Sequence, residues 1–72
     1  MSMKQIKRNL HTFSDAELNK YAVQNQRYGL ANARENELWR ESCRLAELIR
    51  KELEARAEVR AFERRYRGML QT

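Results

Sequence analysis

From Leu38 to Met69 the chain repeats every seven residues, and this repeat limits its fold more than any other feature. With Leu38 as position a, the a series is Leu38, Leu45, Glu52, Val59 and Tyr66, and the d series is Glu41, Leu48, Ala55, Phe62 and Met69. Eight of these ten positions are apolar, while the residues between them are mostly Arg, Lys and Glu. Apolar side chains that recur every 3.5 residues on average keep one seam of a helix turned toward another helix, which is the physical basis of a coiled coil.

A chain of 72 residues buries only a small core and needs help from a disulfide, a metal or oligomerisation. The lone cysteine, Cys43, has no internal partner, and with the single histidine, His11, it makes no metal site, so oligomerisation is the expected rescue. One cysteine also fits a reducing compartment. The absence of proline, the two glycines and the 35% of charged residues describe helices rather than a sheet. No apolar run reaches the ~18 residues of a membrane span, and the first ten residues lack a secretory core. The expected location is cytoplasmic.

Local signals divide the chain into a basic arm, residues 1–12, and a single hairpin domain, residues 13–72. In the arm, Ile6 and Leu10 stand four apart, as in a helical turn laid on the body, whereas Lys4, Lys7 and Arg8 equally suit a mobile cationic tail. Ser14 and Glu17 have the spacing of a capping box, with Phe13 and Leu18 as its hydrophobic staple and Asp15 favoured by the helix dipole. A first helix over about 15–28 follows, with Leu18, Tyr21, Ala22, Asn25 and Tyr28 on one face. Gly29 suits a left-handed C-terminal cap, and Asn32 with Glu35 repeats the capping spacing, so a turn is expected at 29–32. The second helix runs over about 33–67, with Gly68 as its cap. The competing arrangement is one unbroken helix through Gly29.

A second apolar stripe, Trp39, Ala46, Ile49 and Leu53, lies beside the seam. The short turn brings the first helix back antiparallel onto this stripe, leaving the seam for another copy or another protein. The seam residues on offer are Leu38, Leu45, Leu48, Ala55, Val59, Phe62, Tyr66 and Met69. In a parallel pair, Lys51 meets Arg56 and Glu58 meets Glu63, both repulsive. In an antiparallel pair, Leu45 meets Phe62, Leu48 meets Val59 and Leu38 meets Met69, with Lys51 beside Glu58 favourably and Arg44 beside Arg65 unfavourably. The fold expected is therefore all-α: a helical hairpin with a long second helix, in a coiled-coil-type antiparallel dimeric bundle.

Chemistry is thinly represented. His11 is read as solvent-exposed and Cys43 as a small half-buried filler; Glu35 and Glu37 point to different sides of a helix. The expectation is a non-catalytic protein without cofactor, metal, small-molecule substrate or membrane contact. The net charge of +5 gathers at the ends: residues 1–13 and 55–72 each carry +3, 14–32 is neutral and 33–54 carries −1. The leading function is binding of a protein partner as an inhibitor, adaptor or regulator, by a homodimer. The alternative is nucleic-acid binding to phosphate backbone through Lys4, Lys7, Arg8, Arg56, Arg60, Arg64, Arg65 and Arg67.

Overall fold

The computed structural model describes residues 2–70, which are helical apart from short connections. Helix α1 (Met3–Arg8) leads through a 3₁₀ turn (Leu10–Thr12) into α2 (Asp15–Ala31), and a tight turn then opens α3 (Asn36–Leu70). The shape is a rod of 57 × 18 × 16 Å. Its length is that of α3, whose 35 residues at 1.5 Å each give about 52 Å.

The capping box at Ser14 forms as read. The Ser14 hydroxyl accepts from the Glu17 N–H at 3.1 Å, and the Glu17 carboxylate accepts from the Ser14 N–H at 3.1 Å. Phe13 and Leu18 both enter the buried cluster, as a staple requires. The arm adopts the first of its two alternatives. Residues 3–8 are helical, Ile6 and Leu10 are buried, and Ser2 with Gln5 makes a second capping box at the start.

The turn between the long helices falls one helical turn later than expected. Gly29 is not a cap: α2 continues to Ala31, and neither glycine has a positive φ. Asn32 closes α2 instead of opening α3; its N–H and its side-chain amide both donate to the Tyr28 carbonyl. The connection occupies 32–35, and α3 begins at Asn36. At its far end α3 passes through Gly68 to Leu70, so the stop expected at 67 is also corrected.

Packing explains the shift. A Cβ built on Gly29 would lie 2.5 Å from the Ser42 hydroxyl oxygen and 3.1 Å from its Cβ. Glycine is needed here because α2 and α3 touch, and a helical conformation serves that contact. Asn25 and Ser42 fasten the same crossing, since the Asn25 amide donates to the Ser42 carbonyl at 2.8 Å and the Ser42 hydroxyl donates to the Asn25 carbonyl at 3.0 Å. Both side chains are buried, where paired polar groups fix one register against sliding.

This crossing rotates α3 away from the expected face. The inward line is Leu38, Ser42, Leu45, Ile49, Leu53 and Arg56, at steps of three and four residues. Leu18, Leu45 and Ile49 are fully buried, each stabilising the body by about 1.5–3 kcal/mol. Ile6, Leu10 and Phe13 complete the cluster, with Met3, Tyr21, Ala22 and Leu53 at its margin. Of the stripe expected to receive α2, Ile49 and Leu53 point inward, whereas Ala46 is exposed and Trp39 remains 41% exposed. Trp39 flanks the crossing without filling it: its indole edge lies 3.6 Å from where a Gly29 Cβ would stand, beside the closer Ser42.

Candidate protein-interaction surface

Only the first part of α3 is clothed by the rest of the chain. Among the described residues, bonds from the start of α2 reach along it to Arg56 and Arg60, both of which bind Asp15. Beyond them α3 continues for about ten residues, with the heptad repeat intact. Val59 is 55% exposed, Phe62 68%, Tyr66 53% and Met69 72%. Steps of three and four residues put these side chains along one side of the helix. The Phe62 and Tyr66 rings stack locally, with centroids 6.3 Å apart and planes 14° from parallel. Leu70 adds another exposed apolar side chain at the end.

The eight seam residues thus separate. Leu45 has no exposed surface and lies in the chain's own core, so it is removed from any outward seam; Leu38 is half-buried. Leu48, Ala55, Val59, Phe62, Tyr66 and Met69 all reach the surface. The antiparallel pairing of Leu45 with Phe62 of a second copy is therefore closed. In the first half of the repeat the body covers the a positions Leu38, Leu45 and Glu52 in whole or in part, whereas the d positions Glu41 and Leu48 stay exposed.

The basic residues separate as well. Arg56 donates to Asp15 at 2.9 Å, to Glu52 at 3.0 Å and to the Leu10 carbonyl at 3.2 Å, and its side chain is only 21% exposed. Arg60 donates to the other oxygen of Asp15. Hydrogen bonds from Arg56 and then Arg60 hold the Asp15 carboxyl below its usual range. Burial raises the pKa of Glu52, whose side chain is 15% exposed, but hydrogen bonds from His11 and Arg56 outweigh it and leave this group lowered too. The chain His11–Glu52–Arg56–Asp15–Arg60 ties the 3₁₀ turn and the start of α2 to the middle of α3. Two of the arginines read as phosphate contacts are thus internal ties.

Arg65 and Arg67 are exposed, and the Arg64 guanidinium donates back to the Arg60 carbonyl. At the opposite end of the sequence Lys4 and Arg8 are exposed and Lys7 is half-buried, with Lys7 and Arg8 in the last turn of α1, where the helix dipole favours cations. On the outer face of α3, Arg50 bridges Glu47 and Glu54.

His11 is exposed as read, at 87% of its side chain, although its Nδ1 stands 3.1 Å from the Glu52 carboxylate. Cys43 is exposed rather than a half-buried filler. Met3, Ile6, Tyr21, Asn25, Glu41 and Leu45 line much of a groove of about 510 Å³ between the helices. The Asn25 Oδ1 atom has no hydrogen-bond partner among the described residues. No group of three or more His, Cys, Asp or Glu side chains is placed to hold a metal among the described residues, and no helix is long and apolar enough to cross a membrane.

Sequence reading missed two parts of this arrangement. Ser2 and Gln5 carry the same cap spacing as Ser14 and Glu17, so α1 had a local signal. Asp15 and Arg56 lie 41 residues apart and had none. No protein-family model, curated protein or solved structure matches this chain.

Proposed function

We propose that this is a non-catalytic helical protein that works by binding another protein through the distal part of α3, as an inhibitor, adaptor or regulator. The observation that carries this reading is the exposed apolar line Val59, Phe62, Tyr66 and Met69, continuing a heptad past the end of the hydrophobic body. Beyond their local stack, the exposed Phe62 and Tyr66 rings bring little stability to their own chain, while burial against a partner is worth about 25 cal/mol per Å² of apolar surface. Heptad spacing suits a helix as the partner element, by the packing of side chains into the gaps of a facing helix.

Nucleic-acid binding is the weaker reading. Arg56 and Arg60 already satisfy Asp15, and taking them for phosphate would open the tie between α2 and α3. The cations left for it lie at Lys4, Lys7, Arg8, Arg64, Arg65 and Arg67.

The test is a paired capture experiment with the wild-type chain and Phe62→Glu as baits, washed at rising salt. Position 62 is too exposed for the substitution to disturb the body. The expected result is a protein that survives high salt on the wild type and is lost from the variant. Retention of nucleic acid alone, equal on both baits and released above roughly 0.2 M salt, would contradict the reading.

A further inference from the structure

We infer that the occupant of the distal stripe is a second copy of this chain, packed antiparallel, with Val59 of each copy against Phe62 of the other. The inference rests on the reading of the stripe as a protein-binding surface and names what binds there. Charge complementarity carries it, because sliding one helix along another by whole heptads preserves apolar layers and changes which charges flank them.

In an antiparallel pair, the residues preceding each a position (Lys51, Glu58, Arg65) face each other along one edge. Those following each d position (Arg56, Glu63, Leu70) face each other along the other. With Val59 opposite the second copy's Phe62, Ala55 falls opposite its Tyr66. Glu58 then meets Arg65 on the first edge, and Glu63 meets Arg56 on the second. Twofold symmetry repeats both pairs. Each layer also sets a large side chain against a smaller one, which lets them interlock.

The neighbouring registers fail on charge. Sliding outward so that Val59 meets Met69 places Arg65 against Arg65 and Glu63 against Glu63. Sliding inward so that Val59 meets Ala55 places Glu58 against Glu58, Arg56 against Arg56 and Lys51 against Arg65. The longest overlap needs Leu45, which is buried in its own chain. A parallel pair sets Glu58 against Glu63 and Lys51 against Arg56. Arg56 already holds Asp15 and Glu52, so the Glu58–Arg65 edge is the freer contributor.

The apolar overlap covers residues 55–66, about 18 Å of helix. Association is therefore weak and concentration-dependent, and a tighter foreign helix would displace the second copy.

The experiment is sedimentation equilibrium of the full chain, in a Cys43→Ser background that prevents adventitious disulfides. The chain is expected to dimerise reversibly. Glu58→Arg, which turns both symmetry-related pairs repulsive, weakens the dimer by roughly tenfold, and E58R/R65E restores it. Tighter association of E58R would overturn the antiparallel register, because that change relieves the parallel Glu58–Glu63 clash. Failure of E58R/R65E to recover, at unchanged helix content, would overturn it as well. A chain that stays monomeric to millimolar concentration overturns the second copy as occupant. The protein-binding reading stands or falls separately, on whether Phe62→Glu loses a captured protein.

Discussion

The two halves of α3 have the same kind of sequence and opposite surroundings. From Leu38 to Arg56 the helix has α1, the 3₁₀ turn and α2 against its inward line, and Leu45 and Ile49 lose essentially all contact with water. From Val59 to Met69 the same heptad continues, yet its a and d side chains keep more than half of their surface. Periodicity marks a helix face that is fit to be buried. Whether the chain buries that face itself depends on how far its other segments reach. Here the 17 residues of α2 span about 25 Å, half of α3, and the reach ends where Asp15 takes Arg56 and Arg60. A helix without tertiary support is marginal at this length, so the distal half depends on propensity, on its attachment to the body and on what covers it.

Replacing one seam residue in each half gives the largest contrast. Leu45→Ala should cost about 2–5 kcal/mol in urea unfolding, because it empties a fully buried site in a small core. Phe62→Ala should change the stability of the dilute chain by less than about 0.5 kcal/mol. Equal costs would erase the distinction between the halves.

The two glycines repeat the contrast at smaller scale. Gly29→Ala should destabilise by about 1–3 kcal/mol, since the new methyl meets a Ser42 side chain whose hydroxyl is already bound to Asn25. Gly68→Ala meets nothing within 4 Å and should stabilise the helix by up to about 1 kcal/mol, less if the last turn frays. Thermal melts of both variants would show opposite signs.

The smallest effect concerns the ties at the boundary between the halves. Asp15 is held below its ordinary carboxylate value by Arg56 and then Arg60, and Glu52, against the opposing effect of its burial, by His11 and then Arg56. A depressed pKa contributes stability that is fully present above the unfolded value. That stability is lost as pH falls through the folded one. The wild type should lose stability from about pH 4 downward, and Asp15→Asn should show a shallower loss over the same window. Both curves should converge at high salt, because these ties are near the surface. A loss confined to higher pH would point to other groups.

Much of this was legible in local sequence. The Ser14 cap, its staple and two packed helices all follow from spacing within a few residues. Gly29 misled because one residue type serves two purposes. A left-handed cap and a close helix approach both call for a missing Cβ, and only Ser42 opposite tells them apart. Leu45 misled because a heptad identifies a seam without identifying what lies against it. Arg56 and Arg60 read as a cationic face because their common partner, Asp15, is distant in sequence and was already explained by the helix dipole. The exposed distal stripe, together with Leu48 and Ala55, is the part of the expected seam that the fold leaves uncovered.

Amide hydrogen exchange along α3, measured at low and high protein concentration, tests the division most directly. Exchange is expected to be slow over about residues 40–56 at every concentration. Over 58–68 it is expected to be fast in dilute solution and to slow as the chain is concentrated. Protection uniform along α3 and indifferent to concentration would contradict the division of α3 into a covered and an exposed half.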